Sequence, residues 1–150
     1  MLVTICISVS YSNDIIIAGN ETQGNYGYIS ASSSKIVSIA NNIVSKNIGL
    51  YSSENADIYK NTLNGSISIE SSYSGSGSKI TNNIINSTGG SYGIQTYNSK
   101  VLEVSGNKVL GVENNIGISI SSNNTVVKNN FVQTTGLGVT TGIKVVSSDN

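Results

Sequence analysis

The chain has 150 residues, eight lysines balanced by eight acids, and only 11% charged residues. That length suits one domain, the missing basic stripe argues against nucleic acid, and no acidic block marks a disordered tail. Pro, Trp, His and Arg are absent, so solubility rests on Ser, Asn, Thr and Gly.

The N-terminal stretch alternates Val3, Ile5, Ile7 and Val9 and has no basic region before it. That is a strand pattern, not the continuous apolar core of a secretory signal. Cys6 stands alone, which leaves no internal disulfide and no zinc site built from two cysteines; a buried or idle thiol is expected. No apolar run approaches the ~18 residues that a membrane helix needs, so no membrane span is expected.

From there the chain repeats. An Asn recurs at Asn20, Asn42, Asn61, Asn83, Asn107 and Asn130, at spacings of 22, 19, 22, 24 and 23 residues. A fixed period in this range marks a solenoid. Three places before the Asn stand Ile17, Ile39, Ile58, Ile80, Val104 and Val127, and five before it stand Ile15, Val37, Ala56, Ser78, Leu102 and Thr125. This alternation predicts a strand with those side chains inward. Two places after the Asn come Thr22, Val44, Leu63, Ile85, Val109 and Val132. The odd spacing across the Asn predicts a turn there, with the Asn itself in the left-handed conformation that it tolerates.

A further strand precedes each of these. Its expected inward residues are Tyr28, Leu50, Ile67, Ile94, Ile118 and Ile143, followed two places on by Ser30, Ser52, Ile69, Thr96, Ile120 and Val145. Each copy thus carries about three short strands joined by Ser/Gly/Asn-rich loops such as 71–79 and 87–91, with no helical periodicity. A leucine-rich repeat would want Leu eight places before the Asn, where Ser12, Ser34, Ser53, Gly75, Ser99 and Ser122 stand. A coil of parallel strands, one turn per repeat, fits instead.

The Gly-Ile starts at Gly93, Gly117 and Gly142, the "NNIV", "NNII", "GNKV" and "NNFV" anchors, and the period resemble the right-handed parallel β-helix repeat of the pectin-lyase-like superfamily. The resemblance covers essentially residues 1–150 as a single domain. It implies an all-β, single-stranded right-handed parallel β-helix of six to seven turns. It also brings a range of functions: polysaccharide lyases and hydrolases, viral tailspikes and surface adhesins.

In such a coil the six anchor residues stack at ~4.8 Å intervals as an Asn ladder, each amide donating and accepting along the stack. Four places before the anchor, Asp57, Lys79 and Glu103 fall on successive turns. The carboxylates of Asp57 and Glu103 then lie ~9.6 Å apart at the backbone, near the upper separation for an inverting glycosidase. Lys79 between them keeps both ionised, which disfavours a general acid. With His and Arg missing and the eight acids scattered, no metal site and no cofactor are expected.

The eight tyrosines against one phenylalanine are the more informative residues. Tyr51 is expected to face outward, with Tyr73 and Tyr97 in the turn just after the strand on the next two copies. Two readings stand: cover over strand ends and loop bases, or a face that stacks on sugar rings. The open strand edge expected at each end of the coil suggests a piece of a longer solenoid, a truncated reading frame, or a protomer whose ends other protomers cover. The leading expectation is a non-enzymatic structural or adhesive segment of an exported protein, at a cell surface or on a virion, with glycans as candidate partners. The alternative is a remnant of a polysaccharide-degrading lyase or glycoside hydrolase.

Overall fold

A computed structural model describes residues 5–70, 77–87, 91–112, 116–122, 124–135 and 141–146. The strands run β1 (Ile7–Ser10), β2 (Asn13–Ala18), β3 (Ile29–Ser32), β4 (Lys35–Ala40), β5 (Ile43–Val44), β6 (Ile48–Tyr51), β7 (Glu54–Tyr59), β8 (Thr62–Leu63) and β9 (Ile67–Glu70). They continue as β10 (Ser78–Thr81), β11 (Ile84–Asn86), β12 (Tyr92–Tyr97), β13 (Val101–Ser105), β14 (Lys108–Val112), β15 (Ile116–Ser121), β16 (Val126–Lys128), β17 (Phe131–Thr134) and β18 (Thr141–Val146). Among the described residues there is no helix, so none that could cross a membrane.

Each complete turn contributes one strand to each of three parallel sheets, and the end turns contribute fewer. Sheet A orders β1-β3-β6-β9-β12-β15-β18, sheet B orders β16-β13-β10-β7-β4-β2, and sheet C orders β17-β14-β11-β8-β5. The chain is therefore a parallel β-solenoid, and equivalent residues of successive turns lie directly above one another.

The reason is period-2 burial along strands such as β2, β3, β7, β9 and β10. In sheet A, Ile29, Ile48, Ile67, Ile94 and Ile118 pair in register and are fully buried. Ile17, Ile39, Ile58, Ile80 and Val104 do the same in sheet B, and Val44, Leu63, Ile85 and Val109 in sheet C. Each buried Ile, Leu or Val contributes roughly 1.5–3 kcal/mol over exposure. Polar residues admitted to the core are paired. The Thr22 and Ser78 hydroxyls accept from the backbone N–H groups of Ser45 (3.1 Å) and Ala56 (3.1 Å).

The Asn ladder is present. The Nδ2 groups of Asn20, Asn42, Asn61, Asn83 and Asn107 donate to the next Oδ1 at 2.9–3.1 Å. Each Oδ1 also accepts the backbone N–H of the preceding ladder residue at 2.9–3.0 Å. The second Nδ2 hydrogen of Asn42, Asn61, Asn83, Asn107 and Asn130 reaches back to the carbonyl of Ile17, Ile39, Ile58, Ile80 and Val104 respectively. An interior rung thus uses both donors and both lone pairs.

Four details differ from the sequence reading. The left-handed residue is the one before each rung: Gly19, Asn41, Lys60, Asn82, Gly106 and Asn129 have φ of 54–68°. The rung must point its amide inward from a regular conformation, so its neighbour makes the corner. Second, four of the residues eight places before the rung, Ser34, Ser53, Ser99 and Ser122, are buried serines that stack in pairs, while Ser12 is half-buried and Gly75 lies outside the described residues. Ser34 and Ser53 accept from the N–H of Ser12 and Ser34, and the Ser99 and Ser122 hydroxyls lie 3.1 Å apart. Tyr11, Ser33, Ser52 and Asn98, again one residue earlier, take φ of 48–53°.

Third, the first two turns of sheet A are shifted from expectation. Ile29 and Ala31, not Tyr28 and Ser30, face inward. Ile48 and Leu50 are their partners, and Ser52 lies beyond the strand. The expected starts were aligned on Gly, but Gly49 pairs with Ser30 and Ser68 on the outer face. The starting glycines of later turns are a different kind. A Cβ on Gly93 or Gly117 would run into Val109 or Val132 of sheet C, so those positions need Gly for close approach. Fourth, Leu102 is 47% exposed, and Val101 fills the core in its place, because β13 carries a bulge where Ser78 pairs with Val101 and Lys79 with Glu103. The bulged residue is extra to the pairing and turns outward.

Candidate functional site

The outward residues of sheet A stack as regularly as the core. One outer column reads Ser8, Ser30, Gly49, Ser68, Gln95 and Ser119, and the next reads Ser10, Ser32, Tyr51, Glu70 and Tyr97. Small residues fill most of the first column, and this leaves the face low beside the tyrosines. An open groove of 1010 Å³ results, lined among others by Tyr26, Tyr28, Lys46, Tyr51, Glu70 and Gln95.

Tyr51 is 46% exposed and turns its ring back along its own strand. A Cβ at Gly49 would lie 3.0–3.3 Å from the Tyr51 ring edge and hydroxyl. Gly49 therefore provides the bed on which the ring rests. Tyr97, expected in a turn, is instead the last residue of β12 and pairs with Glu70, which pairs with Tyr51. The order Tyr51-Glu70-Tyr97 puts the two tyrosines two strands apart, about 10 Å at the backbone, with a carboxylate between them. Tyr73 lies outside the described residues.

The groove runs along the strands. Tyr28 and Asn47 flank the first strand residues Ile29 and Ile48. Tyr51 and Glu70 close the other end, about 13 Å away at strand rise. Hydroxyls and amides lie between the aromatic ends. Ser68 Oγ donates to Glu70 Oε1 at 2.9 Å. Ser30 and Ser32 donate to the hydroxyls of Ser8 and Ser10 at 3.0 and 2.9 Å. Cys6 is exposed, not buried, and its thiol donates to the Tyr26 carbonyl at 3.1 Å.

The acidic pair lies elsewhere, on the outer face of sheet B. Asp57, Lys79 and Glu103 occupy successive rungs in the expected register. Among the described residues, however, the only ion pair is Lys128–Glu103 at 3.1 Å. Glu103 also accepts from Ser105 Oγ at 2.7 Å. The Ser105 hydroxyl first, then the Lys128 ammonium, hold the Glu103 carboxyl below the usual carboxylate range, with Lys79 adding least. A general acid has to be protonated, and these partners oppose that. Among the described residues no three His, Cys, Asp or Glu side chains converge as a metal site would require.

The sequence singled out Tyr51 and Tyr97 but missed Glu70, Tyr28 and the Gly49 bed. The signal available was the alternation itself: once Ile48 and Leu50 are inward, Gly49 and Tyr51 must be outward. The chain matches no protein-family model, no curated protein and no solved structure.

Proposed function

We propose that this chain is a non-enzymatic, adhesive β-helix of an exported surface or fibre protein, of the right-handed pectin-lyase-like kind, and that the outer face of sheet A binds glycans. The observation that carries the reading is the groove with Tyr26, Tyr28 and Lys46 at one end, Tyr51 and Glu70 at the other, and hydroxyls and amides such as Ser30, Asn47 and Ser68 along it. Sugar rings present apolar C–H faces to aromatic rings and a rim of hydroxyls to polar neighbours, and this groove offers both in alternation. The scaffold suits such binding, because a stack of hydrogen-bonded rungs holds the outward columns at fixed spacing without help from a ligand.

A glycan array probed with the wild-type chain and with Tyr51→Ala/Tyr97→Ala tests this. Binding to a subset of oligosaccharides is expected, and each lost ring should weaken it by about three- to tenfold. Unchanged binding by the double variant, or no glycan bound by the wild type, refutes the proposal.

A further inference from the structure

We infer that the groove selects sugars carrying a protonated amine, seated on Glu70 between Tyr51 and Tyr97; this rests on the glycan-binding reading above. Three observations converge on it.

The first is placement. Glu70 is flanked in its column by Tyr51 on one strand and Tyr97 on the other; the Tyr51 ring shares the groove with the carboxylate, and the exposed Tyr97 stands one strand beyond it. Ammonium groups are attracted to aromatic faces as well as to carboxylates, and the two attractions add at one point. The second is that the carboxylate is held ready. Ser68 Oγ fixes Oε1 at 2.9 Å, and a carboxylate has further acceptor sites for a ligand. The third is that no cation within the chain claims it. The chain has no Arg or His, all eight lysines lie among the described residues, and the one ion pair there is Lys128–Glu103. Lys46 lines the same groove, its backbone about 13 Å or more along the strands from Glu70, and it forms no ion pair with it.

Neutral sugars could use the tyrosines and hydroxyls but would leave this carboxylate without a charged partner. An amino sugar supplies the partner while keeping the same ring for stacking. A uniformly charged polyamine would gain the carboxylate but lose the ring stacking, and it would meet Lys46.

Three β-1,4-linked hexamers that differ only at C2 separate the terms: glucose (hydroxyl), N-acetylglucosamine (amide) and glucosamine (ammonium). Titration by calorimetry at low salt should show the glucosamine hexamer binding roughly three- to tenfold tighter than the glucose hexamer. The preference should shrink with added salt and as the pH rises through the sugar amine's own titration. Glu70→Gln, whose carbonyl still accepts from Ser68, should lose most of the preference for the glucosamine hexamer, keeping only what the rings supply, with its circular dichroism and melting unchanged. Equal binding of the three hexamers by the wild type, or a preference undiminished in Glu70→Gln, overturns the inference and leaves glycan binding standing. Binding of none of them overturns both.

Discussion

Replacing Asn83 by Ala removes one rung from the middle of the ladder, and the structure allows its cost to be worked out. The Asn83 Oδ1 accepts the Asn61 backbone N–H and the Asn61 Nδ2, both at 3.0 Å. Its Nδ2 donates to Ile58 O and to Asn107 Oδ1, both at 3.0 Å. Asn61, Asn83 and Asn107 are all buried, so water does not replace what is lost. The substitution strands the Asn61 N–H and strips single bonds from Asn61 Nδ2, Asn107 Oδ1 and the carbonyls of Ile58 and Thr81. At about 1–3 kcal/mol for a buried unsatisfied group, and less for groups that keep another partner, the expected loss is about 4 kcal/mol. A domain of this size has about 5–15 kcal/mol in all. Urea denaturation followed by circular dichroism should therefore show a large fall in the midpoint. Asn20→Ala is the control: its rung is partly exposed, and no ladder residue donates to it among the described residues. It should lose about 1 kcal/mol. A loss below about 1 kcal/mol for Asn83→Ala, or equal losses for the two variants, refutes the claim that the ladder holds the turns together.

Other substitutions probe other parts. Ile36 is β-branched at φ 51° and exposed, while Asn55 fills the same position one turn on; Ile36→Asn should stabilise by about 1 kcal/mol in the same assay. Gly93→Ala should destabilise by about 1–3 kcal/mol, because its Cβ meets Val109 and, at 2.8 Å, the Gly117 carbonyl. Gly49→Ala should leave the melting temperature nearly unchanged, since only the end of the Tyr51 side chain must move, yet weaken glycan binding. The Glu103 carboxyl should titrate below the usual carboxylate range in an NMR pH series and move up in Ser105→Ala. Since its folded pKa lies below the unfolded one, its stabilisation is present above the unfolded value and disappears as pH falls through the folded one.

Much of the frame could be read from residue order, because a solenoid repeats each physical demand once per turn. The six rungs and the Ile/Val positions three places before them needed no further information, since the spacing that defines them is the same spacing that stacks them. What could not be read are the places where two turns satisfy one demand differently. Gly49 and Gly93 look alike in sequence, but one supports a tyrosine on the outer face and the other lets sheet A approach sheet C. Leu102 carries the expected hydrophobicity at the expected count, and a single bulge hands its place to Val101. The serines eight places before most rungs stand out as a column in the sequence but argue there only against Leu; the burial and pairing of Ser34 with Ser53 and of Ser99 with Ser122 emerge from the corner geometry. In the binding face, Tyr51 was legible from alternation, whereas Glu70 gained meaning only when its rung fell between Tyr51 and Tyr97.

The most direct measurement is a backbone NMR titration of the full chain with the glucosamine hexamer. The expected result is a cluster of shifted amides on the outer face of sheet A, at Tyr28–Ser30, Gly49–Tyr51, Ser68–Glu70 and Gln95–Tyr97, with sheets B and C unmoved. Shifts centred on the Asp57–Lys79–Glu103 column of sheet B would place the sugar on the wrong face. No shifts at all at millimolar sugar (on the order of the weakest useful affinity) would remove sugar binding altogether.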